Sequence, residues 1–304
     1  TDEDVNVTSK LSTDLSIDSL TLSEILANLE VKYGISFSDV SKTQVKSVGS
    51  LLELIEIHAS ISSNTKSSHK NHIEHFLKNC EITPIEEKRT SLFKRCLNRL
   101  MDSILNLTFK HHIKVHWMHL ERIPQGPVIF IANHNSHLDS VIVTQQLKQY
   151  HQISVAAAKD YWFENNSWFK RYVAIDYMQA ISVERGSGTL DSIKLACQTI
   201  ASGRSFLIFP EGTRSNNGDM GRFLPGFLIM AQKMNVPIIP LYIDGTFDIL
   251  PKGQSSLKKG KCNIVVGNPV YWKNTVFQTA DLLEYSRHFK EMIGALSCEL
   301  RMKQ

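Results

Sequence analysis

Ile129-Phe130-Ile131-Ala132-Asn133-His134-Asn135-Ser136-His137-Leu138-Asp139-Ser140 is a short apolar strand that runs into a polar turn and then a helix. A strand followed at once by a helix is the unit from which α/β sheets are built. Within the turn, His134 and Asp139 stand five residues apart. That spacing can aim the imidazole outward and let the carboxylate reach its other ring nitrogen. An Asp held this way fixes the tautomer and supports the imidazolium that forms when His takes a proton. The pair suits a general base that activates a hydroxyl. A polar loop with His134 capping the following helix would carry the same letters, so the pattern needs a companion.

The companion is Phe209-Pro210-Glu211-Gly212-Thr213-Arg214-Ser215, again directly after an apolar strand, Ser205 to Phe209. Gly212 lets backbone N–H groups approach a ligand closely. Thr213 offers a hydroxyl, and Arg214 a planar fork that matches phosphate. Together the two stretches resemble the glycerolipid acyltransferase family, whose motifs read NHxSxxD and FPEGTR. Phe223 and Gly226 match that family's F-x-x-G feature, and Val236-Pro237-Ile238-Ile239-Pro240 its V-P-x-x-P motif. The resemblance implies an O-acyltransferase in which His134 is the base and Asp139 orients it. It implies an acceptor phosphate held by Arg185, Thr213 and Arg214, with Glu211 and Gly212 shaping the pocket. Arg185 ends the expected strand Ala180 to Arg185, and Gln179 stands where the family often has Gly. The implied acceptor is 1-acylglycerol 3-phosphate. The implied donor is a fatty acyl thioester of an acyl carrier protein or of coenzyme A, with no metal. Two other readings stay open: a catalytically silent scaffold that binds lipid or carrier, and an acyltransferase with a non-phosphorylated acceptor.

The first 60 residues read differently. Leu20, Leu22, Ile25, Leu26 and Leu29 recur at helical spacing up to the stop at Gly34, and a second helix is expected from about Val45 to His58. Asp18-Ser19-Leu20 opens the first of these. The stretch resembles an acyl carrier protein, in which a D-S-L serine at a helix N-terminus bears 4'-phosphopantetheine. Backbone N–H groups there favour an incoming phosphate. Ser19 is then the attachment site, although Ser16 stands where the family usually has Gly. Too little sequence precedes Asp14 for the carrier's first helix, so the chain reads as a fragment of a longer fused protein. An acyl-activating ligase domain upstream would load such a carrier.

Ser60 to Lys70 is a Ser/Lys-rich tether. The expected organisation is a small all-α carrier-like domain over 1–59, a linker over 60–85, and an α/β domain with a mixed sheet flanked by helices over 86–304. A short helix is expected from Asn71 to Thr83. From Glu86 to Lys110 a wide apolar face (Leu92, Phe93, Leu97, Leu100, Ile104) opposes Arg89, Lys94, Arg95 and Arg99. Such a helix packs on a core, lies in the headgroup plane of an anionic membrane, or does both. His111, His112, His116 and His119 lie on and around a strand whose Ile113, Val115 and Trp117 alternate. Without a second cluster of ligands, a zinc site is not expected.

Net charge is +4 over 304 residues. That suits a phosphate-bearing substrate or an anionic membrane surface and is too slight to argue for nucleic acid. Five scattered cysteines without paired spacing read as free thiols in a reducing compartment. No apolar run reaches the ~18 residues a transmembrane helix needs. The expected location is cytoplasmic, peripheral on the inner face of a membrane.

Overall fold

The computed structural model describes residues 6, 9–11, 14–15, 45, 47–53, 73, 75–85, 91–158, 171–183, 189–254, 256–271 and 282–302. The chain divides into two compact units, Thr1–Phe76 and Leu77–Gln304. In the first, Lys10 pairs with Ser47 in an isolated antiparallel bridge. Ser47 Oγ accepts the N–H of Ser50 at 3.2 Å and so caps the helical turn at 48–53. The helix expected from Val45 therefore starts beyond Ser47. Ser19 and the helix that follows it lie outside the described residues, as does the tether.

The second unit carries a seven-stranded sheet. Its elements run α1 (Leu92–His111), β1 (Ile113–Met118), β2 (Ile129–Ala132), α2 (His137–Leu147), β3 (Ile153–Ala158), β4 (Ile181–Val183), α3 (Thr189–Ala201), β5 (Ser205–Ile208), α4 (Gly226–Met234), β6 (Ile238–Asp244), α5 (Thr246–Ile249), β7 (Gly260–Val266) and α6 (Leu282–Arg301). The spatial order is β1-β7-β6-β2-β5-β3-β4. Every neighbouring pair is parallel except β6 with β7. The sheet is therefore mixed, as the α/β reading anticipated.

Parallel strands covered on both faces are apolar throughout. β2, at the centre, obeys this rule: all four of its residues are buried. Alternate residues of β7 enter different clusters. Cys262, Ile264 and Val266 join the core that contains α2 and the packed side of α1. Val265 joins Leu296 and Leu300 of α6. Because successive strand side chains face opposite ways, helices cover both faces.

Local capping sets the helix starts. α1 begins at Leu92 rather than Glu86: Ser91 has extended backbone, and its Oγ accepts the N–H of Lys94. α2 begins at His137, because Ser136 is its N-cap and Asp139 completes a capping box. β7 spans Gly260–Val266, and beyond it Val270 makes only an isolated bridge to Ile238. The helix expected over 71–83 ends by residue 79.

The apolar face of α1 is two stripes. Leu97, Met101, Leu105 and Phe109 pack on the core. Leu92, Phe93, Leu100, Ile104 and Leu107 are between 51% and 75% exposed. Polar contacts hold the packed side. Tyr177 donates to Asp102 Oδ1 at 2.6 Å, Tyr172 to Asn98 Oδ1 at 2.7 Å, and Lys94 pairs with Asp176. Both tyrosines come from a π-helical segment, Tyr172–Tyr177. Burial raises the Tyr177 hydroxyl well above its ordinary range, so it stays a donor.

Candidate active site

β2 ends at Ala132, and the next side chain continues its pairing. Asn133 Nδ2 donates to the C=O of Ile243, and Asn133 Oδ1 accepts the N–H of Ile243, both at 2.8 Å. The chain thus leaves the sheet while still held to β6. His134 Nδ1 then lies 2.9 Å from Asp139 Oδ2. The same oxygen accepts the N–H of Asn135 at 2.7 Å and of Ser136 at 2.8 Å. Asp139 is fully buried and sits in the first turn of α2, where the helix dipole favours an anion. Its carboxylate is fixed by three donors, and it fixes the imidazole in turn. The His134 side chain stays 18% exposed. Among the described residues no hydrogen bond involves Nε2, which is the ring nitrogen left to meet a substrate.

The second motif grips His134 from three directions. Phe209 stacks on the imidazole, with ring centroids 4.0 Å apart at 17°. Glu211 Oε1 accepts the N–H of His134 at 2.8 Å. Ser215 N–H donates to the C=O of His134 at 2.8 Å. The two sequence stretches are therefore one site, formed where β2 and β5 lie side by side.

Glu211 engages both of its oxygens with backbone, because Oε2 accepts the N–H of Gly221 at 2.7 Å. It is a brace between the two turns. Burial pushes its carboxyl above the usual carboxylate range, against the lowering effect of those two hydrogen bonds. Gly212 has φ +69°, a conformation that strains any side chain, and a Cβ there would meet Leu224 Cδ1 at 3.4 Å. Thr213 is exposed beside it and Arg214 is half-buried. Arg185 lies outside the described residues. Gln179 does adopt the left-handed backbone that glycine favours, at φ +48°. That conformation accounts for the glycine common in the resembling family.

Phe223 is buried, and Gly226 opens α4. Pro240 pairs beside Ile131 within β6. Reasoning from the sequence had Asn133 only as the first letter of N-H-x-S-x-x-D; it missed that residue's pairing with Ile243, and it missed the tether from Ser136 Oγ to the C=O of Leu250, at 2.6 Å. The first pairing spans 110 residues and has no local signal. The second was partly visible, since Ser-x-x-Asp before an apolar run is a helix-start signature. Among the described residues, no group of three or more His, Cys, Asp or Glu could hold a metal ion.

Residues 112–244 match the family model described as Acyltransferase. A chloroplastic 1-acyl-sn-glycerol-3-phosphate acyltransferase of Brassica napus is 29% identical over 157 residues, which cover 50% of this chain and 44% of that protein. A probable 1-acyl-sn-glycerol-3-phosphate acyltransferase of Mycoplasma genitalium is 30% identical over 139 residues, covering 44% of this chain and 50% of that protein. The chain thus spans about half the length of the curated relatives it matches. Among solved structures, the 1-acyl-sn-glycerophosphate (LPA) acyltransferase PlsC of Thermotoga maritima aligns with a TM-score of 0.50 at 22% identity, covering 67% of this chain and 81% of that one. The likeness is one of fold.

Proposed function

We propose that the protein is an O-acyltransferase that moves a fatty acyl group from a thioester to the free hydroxyl of 1-acylglycerol 3-phosphate. The observation that carries this reading is the His134–Asp139 pair, fixed by three donors on one buried carboxylate oxygen and gripped by the second motif. His134 Nε2 takes the hydroxyl proton as the acceptor oxygen attacks the thioester carbonyl. A tetrahedral intermediate forms and collapses. The carbon–sulfur bond breaks, and the imidazolium returns the proton to the departing thiol. Asp139 supports the charged imidazole throughout. Thr213, Arg214 and Arg185 hold the acceptor phosphate. Glu211 and Gly212 shape that pocket, Glu211 by holding the backbone of His134.

The names of the relatives support the choice of acceptor. The test is transfer from a long-chain acyl-CoA, and separately from an acyl carrier protein, to 1-acylglycerol 3-phosphate. Removing a general base lowers the rate by about 10²–10⁴. His134→Ala is expected to fall in that range or lower. Near-normal turnover by that variant would overturn the mechanism.

Two further parts of the reading rest on other observations. The exposed stripe of α1, flanked by Arg95, Arg99 and Lys110, suits the headgroup layer of an anionic membrane, where the acceptor resides. No helix among the described residues is long and apolar enough to cross a membrane. The Asp18-Ser19-Leu20 sequence supports a carrier unit with 4'-phosphopantetheine on Ser19, one source of the acyl thioester.

A further inference from the structure

A cleft outside the dyad is lined by residues that the proposed mechanism does not use. It is a cleft of about 520 Å³ lined by Asn216, Phe247, Asp248, Pro251, Lys252, Gln254 and Lys258. Two of its lining residues directly follow residues that are hydrogen-bonded to the turn that carries His134. Asn216 follows Ser215, whose N–H donates to the C=O of His134 at 2.8 Å. Pro251 follows Leu250, whose C=O accepts from Ser136 Oγ at 2.6 Å. The lysine-bearing wall is itself ordered by backbone contacts. Lys258 N–H donates to the C=O of Ile249 at 3.0 Å, and Gln254 N–H to that of Pro251 at 3.2 Å.

The sheet order gives the cleft its meaning. β2, which delivers His134, lies between β5 and β6. All three are parallel, so their carboxyl ends share one edge, where ligands bind in α/β sheets. Thr213 and Arg214 follow β5. The cleft is built chiefly from residues that follow β6. A transfer reaction needs two substrates at one base, and the fold offers ground on either side of it. Five of the seven lining residues are polar or charged, Phe247 and Pro251 being the apolar ones. Two lysines outnumber one carboxylate, and two amide side chains accompany them. Those groups suit a phosphate ester followed by an amide-containing arm.

We propose that this cleft binds the phosphate end of the pantetheine-type thioester donor, with Lys252 and Lys258 as its cationic contacts. The inference deepens the acyltransferase reading and rests on it for the identity of the donor. The phosphate ester is common to coenzyme A and to the pantetheine arm of a carrier protein. The experiment separates these two sources.

With the full chain, coenzyme A and a phosphopantetheinylated acyl carrier protein are each titrated calorimetrically into wild type, Lys252→Ala/Lys258→Ala and Lys252→Arg/Lys258→Arg. Losing charge-assisted contacts to phosphate is expected to weaken binding about tenfold or more in the alanine variant, with the arginine variant retaining most of it. The wild-type affinity should fall with added salt, and that dependence should flatten in the alanine variant. In turnover, the kcat/KM ratio of palmitoyl-CoA to phosphate-free palmitoyl-pantetheine should drop by a similar factor, while the acceptor KM holds. A loss confined to one titrant supports the cleft and names its source. Unchanged binding of both titrants overturns the proposal, as does equal loss with the phosphate-free donor or a rise in acceptor KM instead. The titrations need no turnover. If coenzyme A binding depends on the lysines but no 1-acylglycerol 3-phosphate is acylated, the cleft stands and the acceptor reading falls. If acylation proceeds while the lysines prove indifferent, the reverse holds.

Discussion

At the scale of the residue, Glu211 shows how a motif letter can mislead about its task. In the sequence it stands among residues proposed to hold phosphate, and a ligand role is a natural reading. In the fold its two oxygens meet two backbone N–H groups on different turns. Its charge is desolvated, so its carboxyl is raised above the unfolded value. The sign of the linkage follows. A group whose folded pKa is raised contributes stability that is full below the unfolded pKa and is lost as pH rises through the folded one. Ionised Glu211 therefore weakens the fold at neutral pH relative to mild acid, in exchange for a fixed His134 backbone. Glu211→Gln should remove that pH-dependent component. Its amide can accept only one of the two N–H groups well, so kcat should fall about tenfold or more as His134 loses its brace. Denaturant unfolding from about pH 4 to pH 7 checks the first effect, and acyl-transfer rates check the second. A variant whose stability follows the wild-type curve at every pH would refute the brace.

At the scale of the element, the periodic and apolar stretches were the legible ones. Strands β2 and β5 fall within a residue of the expected positions, because each is an apolar run that ends at a polar turn. The α4 helix was not foreseen. It has Pro225 at its N-cap with no capping side chain, and Gly226 in its first position, so nothing announces its start. Its glycine was read only as a motif letter. Nothing in the sequence announces the π-helical segment Tyr172–Tyr177, since a π turn has no sequence period of its own. α1 was legible as amphipathic, but its division into a packed and an exposed stripe depends on which neighbours arrive. The exposed stripe makes its own prediction. Leu100→Asp with Ile104→Asp should leave the fold intact, because both side chains are already largely in water. The same pair should abolish sedimentation with vesicles containing phosphatidylglycerol. Undiminished vesicle binding would remove α1 as the docking element.

At the scale of the whole molecule, the proposed reading joins a carrier-like first unit to a second unit whose fold is like that of a solved acyltransferase. A tether of polar residues between such partners raises the effective concentration of a bound acyl group far above that of a free donor. The prediction is chemical. A phosphopantetheinyl transferase should label wild type with one pantetheine group and leave Ser19→Ala unlabelled, as intact mass reads. Labelling that persists in the variant would move the attachment site elsewhere. Here the sequence carries the whole argument, because Ser19 lies outside the described residues. Arg185 stands in the same position. The dyad and the second motif are the opposite case, since their letters were legible and their mutual grip was not. His134 and Glu211 are 77 residues apart in sequence, and only the adjacency of β2 and β5 brings them together.

That grip makes the peptide group of one residue a gauge of the site. The amide hydrogen of His134 points into a half-buried carboxylate on another turn, so it can be traded for deuterium only when that turn releases it. Its exchange rate therefore measures how often the His134 turn and the Glu211 turn part company. A substrate that bridges the two turns would slow that clock, whether or not any acyl group has moved.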